Sequence, residues 1–501
     1  MTREARRPTE PNEPPQPSAR IDADASRDRP ARLDATQLRT AYEASRLSPV
    51  EVVQDICALI AEREAELNAF WSHDPRQALA AARASEQRWS TGRPLGPLDG
   101  IPVTVKENLA RTGIPMPSGT AGVVPIVPRR DCPVVARINE AGGVILGSTV
   151  MPDWGMLSSG VSSLHGITRS PWDPSLTTGG SSSGAGAAAA GGYGPLHVGT
   201  DIGGSIRLPG TWLGLTTLKP SFGRVPLSAP YLGRVAGPIA RSARDAALLL
   251  AVISRPDPRD WTSLPSHELE LDGIIAGTSQ ESVKGLRVGL HLDAGAGLPL
   301  DPEVRAAVQD AAAVFERAGA CVEPVAPFLT EAMLTDLDQF WRVRSLVDLE
   351  ALPAQRQERV LPFIRRWVTA AAGVDGRRVL RDYTSIMSLQ KATTAATEPF
   401  DVVLSPVAPV AAFPAEHPMP WGEADLGMAH IGFTVPYSMS GQPAATTNCG
   451  FTADGRTIGL QVSGRRFDDV GVLRAVDWYE HHRPDECTPA WPIPPWRQAR
   501  T

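Results

Sequence analysis

The chain has 501 residues, 49 basic against 55 acidic, a net charge of −6, and 42% hydrophobic and 21% charged residues. Those proportions describe a globular protein with a large core, without the basic excess that binding to nucleic acid or an anionic membrane surface calls for. Cys57, Cys132, Cys321, Cys449 and Cys487 are odd in number and form no CxxC pair, which speaks against a disulfide framework or zinc ribbon and for a reducing, cytoplasmic compartment.

Residues 1–32 are mostly Pro, Arg, Glu, Asp and Ser with little to bury, so a disordered tail is expected there and one domain over 33–501. The tail has no apolar h-region, and no secretory signal is expected. Asp34 with Gln37, and Ser48 with Pro49 and Glu51, have the spacing of capping boxes and predict two helix starts. Val52, Ile56, Leu59, Ile60 and Leu67 then form one apolar stripe on the second helix. Ile101, Val103 and Val105 alternate, which predicts a strand delivering Lys106 at its end, and 144–146 predicts another.

Between 152 and 218 the chain turns to Gly, Ser and Ala interleaved with Leu, Ile and Trp, a composition for tight turns and close backbone packing. Ser242 with Asp245 caps a helix whose body is 246–253, the longest apolar run and far too short to cross a bilayer. Strands are expected at about 286–290 and 401–404, with a helix over about 302–318 between them. The segment 334–372 reads as an amphipathic helical insertion. Strands and helices alternate, so the class is α/β, and no internal repeat is evident.

Only Lys106, Lys219, Lys284 and Lys391 stand against 45 arginines. A buried lysine can lose its proton whereas arginine keeps its own. That matters because the two glycines before Ser205 let the N–H groups of Ile202, Gly203, Gly204 and Ser205 converge on an oxyanion, while no histidine stands in a nucleophile-elbow pattern. A base for serine would then be a lysine lowered roughly three units from about 10.4. Lys106, at the end of an apolar strand, is the best placed. Blander readings exist: Gly179-Gly-Ser-Ser-Ser-Gly184 is also a flexible-loop composition, and a lysine after a strand is commonly solvated. Gly184-Ala-Gly186-Ala-Ala-Ala189 imitates a dinucleotide loop, but no strand precedes it and Asp201 comes too early for the ribose carboxylate.

Gly96-Pro-Leu-Asp-Gly-Ile-Pro-Val-Thr-Val-Lys-Glu-Asn108, Gly179-Gly-Ser-Ser-Ser-Gly184 and Gly199-Thr-Asp-Ile-Gly-Gly-Ser-Ile-Arg-Leu-Pro209, followed by Leu218-Lys-Pro-Ser-Phe-Gly-Arg224, together resemble the amidase signature family of serine hydrolases. The resemblance runs from about Asp34 to the end of the chain. It implies one large α/β domain, a central mixed sheet with helices on both faces, and hydrolysis of a small-molecule amide without metal or organic cofactor. It makes Ser205 the nucleophile, Ser181 the bridging serine after a cis peptide, and Lys106 the terminal base. Ile202, Gly203, Gly204 and Ser205 would form the oxyanion hole, with Ser182, Asp201 and Arg207 as supports and Lys219 as a structural lysine.

On the same resemblance, Trp154, Gly155 and Met156 line the acyl site or belong to the core. If they line it, an uncharged, partly apolar amide is expected, with aryl amides, esters and carbamates within reach. The 334–372 insertion, with Phe340, Trp341, Phe363 and Trp367, either caps the entrance or forms a plain surface helix pair. The resemblance makes a homodimer an expectation by family habit, and the A-type component of an amidotransferase delivering ammonia to a partner is the alternative function. Ala236-Gly-Pro-Ile239 replaces the stretch associated with glutamine use, which argues against the second.

Overall fold

In the computed structural model, which describes residues 29–279, 282–422 and 424–491, both capping boxes are present. Asp34 starts the helix Ala35–Glu43, and Ser48 starts Pro49–Leu67 with Pro49 in its first turn. The expected disordered tail lies outside the described residues up to 28. Its last residues depart from the expectation: Pro30–Arg32 form a 3-10 turn tied down by Asp55, which accepts from Arg29 and from the Ala31 N–H.

The strands are β1 (Phe70–His73), β2 (Pro102–Lys106), β3 (Val144–Thr149), β4 (Val161–Ser162), β5 (Gly166–Ile167), β6 (Leu196–Asp201) and β7 (Thr216–Lys219). They continue with β8 (Val235–Ala240), β9 (Arg287–Leu290), β10 (Cys321–Pro324), β11 (Val402–Pro406), β12 (Ala444–Phe451) and β13 (Thr457–Gly464). β4 and β5 make a separate hairpin, and the other eleven form one sheet in the order β1-β3-β2-β6-β8-β7-β12-β13-β11-β9-β10. The sheet is mixed: β2 is parallel to β3 and β6, β9 is parallel to β10 and β11, and the remaining pairs are antiparallel. Helices flank it, making one large α/β domain.

Central strands covered on both faces bury every residue, which is why β2, β6, β7, β8 and β13 show no exposed position. The main core packs the sheet against the early helices and against Ala243–Ile253, Pro302–Arg317 and Asp469–His482. The helix expected at 246–253 begins at Ala243, directly after its Ser242 cap. A second apolar cluster belongs to the predicted insertion, which is three helices, Glu331–Glu350, Ala354–Gln357 and Pro362–Thr369. The long helix Gly376–Thr397, unread from the sequence, packs on the first of them. Trp341, Phe363 and Trp367 are buried in this cluster together with Met156, Leu157 and Leu208.

Candidate active site

The interior position of β2 decides the state of Lys106. The side chain is fully buried, with Nζ 2.9 Å from Ser181 Oγ, 3.1 Å from Ser182 Oγ and 3.1 Å from Thr200 Oγ1. Burial lowers its pKa to about 7 against the opposing pull of Asp201 and Glu107. Lys219 is equally buried and is also lowered to about 7 by burial, yet its Nζ donates to the Pro220 carbonyl at 2.9 Å. Partners, not acidity, separate the two lysines.

The three hydroxyls around Lys106 are not equivalent. Ser182 Oγ donates to the Thr200 carbonyl and accepts from the Thr200 N–H, both at 3.2 Å, so toward Lys106 it can only accept. Thr200 Oγ1 accepts from Asn108 Nδ2 at 3.0 Å. Ser181 Oγ has Lys106 as its one hydrogen-bond partner among the described residues. The Gly180–Ser181 peptide is cis, and the helix Ser183–Gly191 begins two residues on. That helix is built only of Ser, Gly and Ala for a reason visible at Gly184, where a Cβ would stand 2.2 Å from the Ala69 carbonyl oxygen and 2.6 Å from the Val150 nitrogen. The small residues let the serine segment sit hard against the end of β3.

β6 ends at Asp201 and turns through 202–206 into the helix Arg207–Leu213. Asp201 pins this turn. Its carboxylate accepts from the Gly204 N–H at 2.9 Å, the Ile206 N–H at 3.0 Å and the Arg207 guanidinium at 3.1 and 2.9 Å. Burial alone would raise its pKa, but Arg207 overrides this and holds it down at about 2. Arg207 donates onward to the Thr434 carbonyl, Gln461 Oε1 and Ser438 Oγ at 2.9, 2.9 and 2.7 Å. The Gly204 N–H is therefore committed to Asp201, which corrects the four-donor set expected from the sequence. The N–H groups of Ile202, Gly203 and Ser205 donate to no group among the described residues.

Ser205 lines a narrow cleft together with Gly155, Met156, Ile202, Gly203 and Trp341. Its carbonyl accepts from the Ser182 N–H at 3.2 Å, whereas its hydroxyl and that of Ser181 are not hydrogen-bonded to each other. Gly155 sits so close that a Cβ there would lie 3.1 Å from Ser181 Oγ. Trp154 packs on the neighbouring apolar cluster and is not among the residues lining the cleft. A Cβ on Gly203 would meet Trp341 at 3.1 Å and Ile431 at 3.3 Å, so these two side chains rest directly on the 202–205 turn. Sequence reasoning gave Trp341 to an entrance cap or a surface helix rather than to the turn itself, and it missed Ile431 in the cleft, Thr200 as a partner of the amine and Asn108 as the donor to Thr200. The last two stood inside quoted motifs, one position before or two after a residue already singled out.

Residues 51–473 match the family model described as Amidase. The A-type component of glutamyl-tRNA(Gln) amidotransferase from Synechococcus sp. (strain CC9605) is 33% identical over 478 residues, covering 88% of this chain and 94% of its own length. An acylamidase from Rhodococcus erythropolis is 33% identical over 462 residues, covering 90% and 96%. The crystal structure of a bacterial aryl acylamidase superposes with a TM-score of 0.81 at 26% identity, covering 90% of this chain and 96% of that one. Fold and relatives together define an amidohydrolase. The chain belongs to the amidase signature family.

Proposed function

We propose that the protein hydrolyses a carboxylic amide through a Ser205 acyl-enzyme, with Ser181 and Lys106 as the proton relay. The observation that carries this reading is the partner set of Lys106. A neutral amine has two N–H bonds and one lone pair. Ser182 needs a donor from it, and Thr200 can take the second N–H, which leaves the lone pair for the otherwise unpartnered hydroxyl of Ser181. As Ser205 Oγ attacks the amide carbon, its proton passes to Ser181 and the Ser181 proton to Lys106. The oxyanion is met by the N–H groups of Ile202, Gly203 and Ser205, each such donor being worth about 3 to 4 kcal/mol. The relay then protonates the leaving amine, the C–N bond breaks, and water repeats the sequence to release the acid. The link between the Ser181 and Ser205 hydroxyls closes when substrate is seated, as catalytic hydrogen bonds commonly do.

A self-standing amidase is favoured over a glutamine-using component of a larger complex by the cleft wall. Free glutamine carries an ammonium as well as a carboxylate, and among the described residues no carboxylate lines this cleft. Five free cysteines suit a reducing, cytoplasmic setting. Incubation with a fluorophosphonate followed by peptide mass mapping tests the reading. The label is expected on Ser205, and a labelled residue elsewhere, or none, overturns it.

A further inference from the structure

Arg344 reaches the cleft from the helix Glu331–Glu350 and is its only charged lining residue among the described residues. Its Nη2 has Met156 Sδ at 3.3 Å, a weak acceptor, and its guanidinium lies 5.2 Å from the centre of the Tyr231 ring. Its Nε is buried without a hydrogen-bond partner. Arg234 stands near enough to repel it; the Arg234 Nη2 donates to the Ala229 carbonyl, while its Nε is buried and unpartnered too. Among the described residues neither arginine forms an ion pair. Asp260, the acid that Arg234 feels, already accepts from Leu227 and Thr262. The buried Arg207 and Arg224 differ in that each has its own aspartate, Asp201 and Asp469.

Two neighbouring guanidinium groups, each half-buried with a buried and unpartnered Nε, beside a largely apolar cavity, make a place that the negative charge of a ligand would complete. The planar fork of arginine matches a carboxylate with two parallel hydrogen bonds. We propose that this cleft takes an amide bearing a carboxylate away from the scissile bond, held by Arg344 with Arg234 behind it. The proposal rests on the amidase reading of the same cleft and narrows it. It also departs from the uncharged substrate expected when Trp154 and Met156 were the only wall residues considered. Met156, Leu208, Trp341 and Ile431 line the same cleft, so the part of the substrate that joins amide and carboxylate is expected to be hydrocarbon, a short chain or one ring.

The test uses two matched pairs. One is glutaric acid mono-para-nitroanilide and its analogue with isopropyl in place of the carboxylate; the other is N-butyryl-para-aminobenzoate and its para-isopropyl analogue. In at least one pair the carboxylate should raise kcat/KM about tenfold or more, the scale of a charge-assisted hydrogen bond, and chiefly through KM. Arg344→Gln should bring that ratio close to unity, and Arg344→Lys should retain part of it. Glutarate or benzoate, and not the corresponding carboxamide, should also protect wild-type Ser205 from the fluorophosphonate, which reads the site without a variant. The proposal is overturned by equal or better turnover of the uncharged member in both pairs, by a ratio that survives Arg344→Gln, or by no protection from either carboxylate. Failure of Ser205 to label at all would instead sink the amidase reading; a labelled Ser205 with no preference for charge sinks this inference alone.

Discussion

The proposed relay asks opposite things of Lys106 and Ser205, one to stay uncharged where it is fully buried and the other to meet substrate in the cleft it lines. Ser205→Ala should erase turnover. Lys106→Arg should be as inactive as Lys106→Ala, several orders of magnitude down, because a guanidinium cannot accept the proton; steady-state kinetics on an anilide reads both, and a lively arginine variant would contradict the base assignment. With Lys106 lowered to about 7, log kcat/KM should fall as pH drops below about 7, in an acid limb that no histidine supplies. The meeting of Lys106 with Ser181 was legible in the sequence through the family resemblance that their motifs carry. Arg344 and Ile431 were not, because nothing local marks a side chain that reaches a cleft built mostly by distant segments. The commitment of the Gly204 N–H to Asp201 was equally hidden: glycine composition tells that a turn is tight, not which of its amides are already engaged.

Among the elements, the helices Ala35–Glu43, Pro49–Leu67 and Ala243–Ile253 were readable from their caps, whereas Gly376–Thr397 went unread although Asp375 caps it, and the helix built of small residues went unread too. Ser183–Gly191 carries no long apolar side chain, so it reads as a loop until its neighbours are known; its stability lies in close backbone approach. Gly184→Val should therefore drive this helix off β3, lowering Tm and reducing activity at least as strongly as stability, because Ser181 and Ser182 precede it directly; thermal melting alongside kinetics checks this. β6, β7 and β8 were missed for a related reason. They mix Thr, His, Gly and Pro with aliphatic residues and are buried on both faces, so no alternation betrays them. The turn after β6 should be the most fragile part of the site. Asp201→Ala leaves Arg207 buried without its carboxylate, a loss of about 3 to 5 kcal/mol expected in urea unfolding.

For the whole molecule, the α/β class and the single mixed sheet followed from the resemblance and from alternating elements, whereas the eleven-strand order joins segments no local pattern connects. Global stability should carry the imprint of the buried lysines. An unfolded lysine keeps its proton to about 10.4, while folded Lys106 and Lys219 release theirs near 7. Between those values the unfolded chain binds more protons, so these groups make stability rise with pH and withdraw that contribution as pH falls toward 7. Lys106→Met should flatten the increase, and urea unfolding of both proteins at pH values from about 7 to 10 measures the difference in slope; identical slopes would mean that Lys106 stays charged in the native state.

β2 and β6 run side by side in the same direction, so the amine and the loop carrying Ser205 leave the sheet at the same edge. Their separation is inherited from backbone pairing rather than from the reach of any flexible side chain. Substitutions at the periphery can accumulate without disturbing it. One extra residue inserted ahead of Lys106 within β2 would reverse which face of the sheet the amine occupies, disconnecting it from the hydroxyls while both strands survive.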